Sequence, residues 1–227
     1  MITTVVFDLD DTLYDELDYC RSGFDAVAES IADIPSTPSA DHISQVLWDI
    51  FTSGNHKTTF NAALDKLGMD YDEQLIRRMI AVYRNHMPQI ILPQDSRDVL
   101  EQLHTNYNLA LLTDGFLPAQ QYKVQALRIA QYFKCIVYTE ELGRDCWKPS
   151  PTGFEKILAD LHSSGQNAVY IADNQLKDFI APNKLGFSTI QLLRPTRIHT
   201  DKSTDPEANP QHVILKISEL PALLHRL

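Results

Sequence analysis

Three carboxylates crowd into four positions near the amino terminus: Asp8, Asp10 and Asp11, in the run Phe7-Asp8-Leu9-Asp10-Asp11-Thr12-Leu13. Like charges this close repel one another, so the cluster needs a cation or a special set of hydrogen bonds to offset its cost. Taken alone it could equally be a solvated acidic turn or a helix cap. Three other segments carry groups of related chemistry. Thr113, Asp114 and Gly115 bring a hydroxyl and main-chain N–H groups. Lys148-Pro149 offers a point charge on a loop stiffened by proline. Asp173, Asn174 and Asp178 add two carboxylates and an amide. Oxygen donors of this kind suit a hard divalent cation, and a lysine with a hydroxyl suits a phosphate.

These segments share a position in the predicted architecture. Residues 4–7 read as a short buried strand, since Val5, Val6 and Phe7 are β-branched or aromatic and run straight into the acidic turn. After residue 93, helical and strand-like patterns alternate. Helices are expected near 98–103, 119–127, 152–161 and 176–185, with strands at 109–113, 135–138, 168–172 and 189–193. Such alternation predicts an α/β domain with a doubly wound, Rossmann-like parallel sheet, in which ligands bind at the carboxyl ends of the strands. Asp8, Thr113 and Asp173 all fall at such ends, and Lys148 lies just ahead of a helix. Each turn alone is ordinary; all of them together make coincidence the weak explanation.

The intervening stretch has a different period. Leu17, Cys20, Phe24, Val27 and Ile31 recur at helical spacing, and three further blocks centred on Leu47, Leu64 and Met79 do the same. Breaks at 35–38, 53–55 and Gly68 separate them. The expected division is therefore a core of residues 1–13 and 91–227, with a small α-helical bundle, residues 14–90, inserted after the first strand. Residues 194–211 read as a long surface loop before a last amphipathic segment.

Composition narrows the function classes. A formal charge of −10 argues against a polyanion partner, because nucleic-acid affinity comes from clustered Lys and Arg. Apolar runs fall short of the roughly 20 residues that cross a bilayer, so no membrane partner is expected. Met1 leads at once into the first strand, without room for a secretory signal, and a cytoplasmic protein is expected. The three cysteines, Cys20, Cys135 and Cys146, are too dispersed for a zinc site and odd in number, which fits incidental thiols. Oligomeric state is not readable from these patterns.

Together, the four segments resemble the four motifs of the haloacid dehalogenase superfamily, in order and over most of the chain. The first motif of its phosphatase branches resembles Asp-x-Asp-x-Thr, here Asp8 to Thr12; Thr113, Lys148 and the acidic pair Asp173 and Asp178 stand for the other three. Two positions depart from the usual pattern: Ala172 stands where glycine often precedes the fourth-motif acid, and Asp114 where asparagine is frequent. The resemblance implies a Mg²⁺-dependent phosphatase acting on a small soluble phosphate monoester through an aspartyl phosphate. Asp8 would be the nucleophile and Asp10 the acid and base. Thr113, Asp114 and Lys148 would bind phosphate, while Asp8, Asp173 and the main-chain carbonyl of Asp10 would hold the metal. Asp178 and Asn174 would support them, and the helical insert would act as a cap over the site.

Asp10 argues against haloacid or phosphonate cleavage, since relatives with those activities lack an acid there. A sugar-phosphate mutase on the same core stays open, as does a binding protein that has lost catalysis, although the complete set Asp8, Asp10, Thr113, Lys148 and Asp173 speaks against the latter. Tyr14, Asp15, Asp18, Tyr19, Arg21, Asn55, His56 and Lys57 could line the entrance to the site. Nucleoside monophosphates and sugar or organic-acid phosphates are all candidate substrates.

Overall fold

A computed structural model describes residues 1–34 and 37–227. The break expected at 35–38 therefore lies in part outside the described residues. In chain order the elements are β1 (Thr4–Phe7), α1 (Glu16–Ile31), α2 (Ala40–Thr52), α3 (Thr59–Leu67), α4 (Glu73–Asn85), α5 (Gln94–Leu103), β2 (Asn108–Thr113) and α6 (Ala119–Leu127). They continue with β3 (Cys135–Tyr138), α7 (Thr152–Asp160), β4 (Ala168–Ala172), α8 (Ile180–Lys184), β5 (Ser188–Leu192), β6 (His212–Ile214) and α9 (Leu220–Leu224). Contacts divide the chain into two compact units, one of Met1–Leu17 with Ile91–Leu227 and the other Asp18–Ile90.

The first unit is built on a six-stranded, wholly parallel sheet in the order β3-β2-β1-β4-β5-β6. Its register pairs Val6 with Ala110 on one side and with Tyr170 on the other. Strand side chains alternate between faces, so Val6, Ala110, Leu112, Tyr170 and Ala172 share one side of the sheet. There they pack with Phe154 and Ile157 of α7 and with Phe179 and Phe187. Val5, Phe7, Leu109, Leu111, Val169 and Ile171 are just as deeply buried. Burial of both alternating sets is what a parallel sheet covered on both faces requires, and it explains why these strands read as continuous apolar runs.

Close packing also accounts for Gly165, just before β4. A Cβ there would meet the main-chain oxygen of Leu185 at 1.8 Å, a clash with backbone that no rotamer relieves. Gly165→Ala is expected to destabilise the chain by about 3 kcal/mol, at the upper end of overpacking costs, read as a lower urea midpoint at unchanged m-value.

The second unit is helical. Phe24, Val27, Ile31, Leu47, Leu64 and Met79 are buried in it, and the Phe24 ring lies 5.4 Å from Phe51 and 5.5 Å from Tyr83. The helix ends follow local chemistry. The Asp72 carboxylate accepts the Leu75 N–H at the start of α4, and Gly68 ends α3 at φ 66.

Three sequence expectations need correction. The helix expected at 176–185 begins only at Ile180, because the preceding turn is tied to Asp178, whose N–H donates to Asn174 O and whose carboxylate accepts the Asn174 N–H. The region after the fifth strand is not all loop and helix: His212–Ile214 forms a sixth strand beside β5, too short to show a period. The first helix of the chain starts at Glu16, and residues 14–17 belong to the sheet-bearing unit. Among the described residues no helix is long and apolar enough to cross a membrane.

Candidate active site

The strand order positions the chemistry. β1 lies between β2 and β4, so Asp8, Thr113 and Asp173 leave the same edge of the sheet on three adjacent strands, about 4.8 Å apart. The order reverses between β1 and β4, the topological switch point at which open α/β sheets bind ligands. Asp8 follows β1 directly, and its N–H still donates to Ile171 O at 2.9 Å. The chain then turns sharply, with Asp11 at φ 53. The Asp11 carboxylate accepts the N–H groups of Glu16 at 2.9 Å and Ile198 at 2.7 Å, pinning the loop after β5 to the start of α1. Burial raises this carboxyl to about 6.

Asp8 and Asp10 have different surroundings. Lys148 donates to Asp8 Oδ1 at 2.8 Å, to the Tyr170 hydroxyl at 2.9 Å, and approaches Asp178 Oδ1 at 2.8 Å. Burial nevertheless holds the Asp8 carboxyl above its usual range, against the pull of Lys148 and Lys177. For Asp178, burial is outweighed by the two lysines and the carboxyl lies below that range. Burial would likewise lower the Lys148 ammonium, but Asp178, Asp8 and Asp114 raise it well above normal. Lys148 is thus a fixed cation.

Asp10 is held from another side. Its Oδ1 accepts from Lys123 Nζ at 2.8 Å and from the Tyr14 hydroxyl, and its Oδ2 accepts from Gln120 Nε2 at 2.8 Å. Burial alone would raise its pKa; Lys123 and the two neutral donors more than offset this and keep Asp10 ionised. Neither Gln120 nor Lys123 stands out in the sequence as a functional residue. A signal exists all the same, because both fall on the buried stripe of α6 with Val124 and Leu127, and polar groups on such a stripe need polar partners.

The remaining sequence candidates are placed as follows. Thr113 Oγ1 accepts from Gln120 Nε2 at 2.6 Å. The Asp114 carboxylate is committed to the loop ahead of α7, accepting from Thr139 Oγ1 at 2.8 Å and from the Lys148 N–H at 3.2 Å. Asn174 caps its own turn, with Oδ1 accepting the Leu176 N–H at 3.0 Å. Asp8, Asp173 and Asp178 each offer a buried oxygen, and the three oxygens lie within 4.8 Å of one another. Asp173 Oδ2 is buried and has no hydrogen-bond partner among the described residues. Burial, with Asp178 and Asp8 nearby, pushes this carboxyl up to about 9. An orphaned acid oxygen beside two other carboxylates is the donor set of a hard divalent cation such as Mg²⁺, and the residues present fit one.

Asp8, Asp10, Asp114, Lys148, Asp173 and Lys177 open onto a cavity of about 230 Å³, whose wall also includes Glu16, Trp147 and His199. Burial beside Asp10 raises the Glu16 carboxyl to about 8. The proposed entrance residues divide. Tyr14 is fully buried on Asp10, and Asp15 pairs with Arg194 at 3.6 Å. Tyr19 is buried within the helical unit, donating to Tyr83 O at 3.0 Å. In that unit Arg21 lies 5.2 Å over the Trp48 ring and His56 lies 4.5 Å from Phe51. Asp18, Asn55 and Lys57 belong to the helical unit as well.

The family follows from comparison with known proteins. The model of the haloacid dehalogenase-like hydrolases matches residues 5–192, and the chain belongs to that family. A glyceraldehyde 3-phosphate phosphatase of Methanopyrus kandleri is 28% identical over 202 residues, 86% of this chain and 85% of its own. A ribulose-1,5-bisphosphate 5-phosphatase of Halopiger xanaduensis is 25% identical, over 99% of this chain and 100% of its own. Among solved structures, the magnesium-bound HAD-hydrolase YfnB of Bacillus subtilis superposes with a TM-score of 0.70 over 98% of both chains, at 23% identity, a likeness of fold.

Proposed function

We propose that this chain is a Mg²⁺-dependent phosphatase that hydrolyses a small phosphate monoester through an aspartyl phosphate on Asp8. The observation that carries the reading is the pair of carboxylates two residues apart with opposite environments, Asp8 held on Lys148 beside the orphaned Asp173 and Asp10 kept ionised by Lys123. The phosphatase names of the relatives support it. Asp8 attacks phosphorus as the bond to the ester oxygen breaks, and the leaving alkoxide takes a proton from Asp10. Asp10 must therefore receive a proton before or as the substrate is seated. In the second half, ionised Asp10 takes a proton from water as that water attacks the phosphorus, releasing inorganic phosphate and regenerating Asp8.

Asp8, Asp173 and the main-chain carbonyl of Asp10 would hold Mg²⁺, which supplies positive charge to offset that on the phosphate oxygens. Lys148 lines the cavity, and with Thr113 at the adjacent strand end it is assigned to the phosphate oxygens. Asp114 contributes there through its main chain, its carboxylate being committed to Thr139 and the Lys148 N–H. Asp178 orients Lys148, and Asn174 shapes the turn that carries Asp178. The helical unit is assigned the part of a cap that selects the leaving group.

Stripping with EDTA is expected to reduce hydrolysis of p-nitrophenyl phosphate by roughly 100-fold or more, with recovery on adding Mg²⁺. A panel of triose, pentose and hexose phosphates, nucleoside monophosphates and phosphoserine then identifies the ester. A folded wild-type chain that releases phosphate from none of them, with Mg²⁺ present, would overturn the reading.

A further inference from the structure

Two lysines reach the nucleophile, and they differ in what their ammonium groups have left to give. Lys148 has three N–H donors, and the structure provides three close acceptors: Asp8 Oδ1 and Asp178 Oδ1, each at 2.8 Å, and the Tyr170 hydroxyl at 2.9 Å. Its side chain is 1% exposed. It has no donor to spare for a ligand without giving up one of these bonds.

Lys177 differs in exposure and in its partners. Both lysines line the cavity with Asp8 and Asp173, but the Lys177 side chain is 31% exposed. Its nearest anions stand off at 3.5 Å for Asp178 Oδ1, 3.7 Å for Asp114 Oδ2 and 4.0 Å for Asp8 Oδ2. Charge-assisted hydrogen bonds of a seated ammonium are about 2.7–2.9 Å long, so Lys177 is held by the field of three carboxylates without being saturated by any of them. It also sits on the reactive side of the nucleophile. Oδ1 of Asp8 is occupied by Lys148, while Oδ2, the oxygen nearer Lys177, receives no hydrogen bond among the described residues.

Resting on the phosphatase reading above, we propose that Lys177 is a second lysine that meets the substrate phosphate, beside Lys148, whose bonds to Asp8, Asp178 and Tyr170 also aim the nucleophile. A phosphoryl group approaching Asp8 Oδ2 brings its oxygens within reach of the Lys177 ammonium, which exchanges distant carboxylates for direct donation to the phosphate. The turn at residues 174–178, pinned by Asn174 and Asp178, presents that ammonium.

The alternative is that Lys177 merely braces Asp114 and Asp178, and two affinities separate the cases. Inorganic phosphate is titrated calorimetrically into the Mg²⁺-loaded chain, and Mg²⁺ alone into the metal-free chain, for wild type and Lys177→Met. Lys177→Gln serves the same comparison if the methionine variant does not fold. Loss of a donor to the phosphate predicts phosphate affinity lower by on the order of 10- to 100-fold. Mg²⁺ affinity is expected to stay the same or tighten, because a neighbouring positive charge has gone. Unchanged phosphate affinity would overturn the proposal, and so would phosphate and Mg²⁺ affinities that fall together, the mark of a brace. A wild-type chain that binds no phosphate and hydrolyses no phosphate ester overturns the phosphatase reading itself, and this inference with it.

Discussion

Asp8→Asn is expected to lower the turnover of any phosphate ester by roughly 10⁴-fold or more, the scale seen when a covalent nucleophile is removed. The amide keeps the shape of the carboxylate and an oxygen for Lys148, but it cannot form the acyl phosphate. Folding should survive, because Lys148 keeps Asp178 and the Tyr170 hydroxyl as partners. Thermal melting of the variant beside its steady-state rate separates loss of chemistry from loss of structure. A folded variant with turnover within tenfold of wild type would remove Asp8 from the mechanism.

Asp10→Asn has the second-largest expected effect, a fall in kcat of roughly 10²- to 10⁴-fold for alkyl phosphates. The leaving group makes the test sharper. A p-nitrophenolate departs without a proton, so the first half-reaction on the aryl ester should be much less impaired. The second half still lacks its base, and the aspartyl phosphate should accumulate, giving a burst of p-nitrophenol close to one per active site followed by a slow steady state. Equal loss on aryl and alkyl esters, with no burst, would argue against the acid–base assignment. The bond from Lys123 sets the pH range in which Asp10 can act as a base. With its pKa depressed by Lys123, the base form is lost only as pH falls below the usual carboxylate range. In Lys123→Met that pKa rises, and the acidic limb of the rate profile should move to higher pH.

How much of this could be read in advance depends on whether the cause was local. The strands β1, β2 and β4 were legible because burial on both faces leaves an unbroken apolar run, and a run is visible in a few residues. The core helices α5, α6 and α7 between them were legible from their period. β6, with three residues, carries no period, and the start of α8 depended on Asp178 binding back to Asn174, a contact that propensity does not report. At the site, Asp8, Asp10, Thr113, Lys148, Asp173 and Asp178 could be singled out because each falls where a strand or loop pattern ends.

The amino-acid sequence by itself determined a parallel α/β core with a helical insertion and a set of acidic, hydroxyl and lysine groups at the carboxyl ends of its strands, since hydrophobic periodicity and turn chemistry act over short stretches of chain. Only the tertiary structure decided which partner each group received. Lys123 meets Asp10 across a separation of 113 residues and Lys148 meets Asp8 across 140. No local pattern records such pairings, and in a buried site it is the partner, more than the residue type, that sets charge and donor capacity. For that reason two lysines that look alike in the sequence come out of the fold as different groups on one cavity, Lys148 saturated by close acceptors and Lys177 more exposed and held only at a distance.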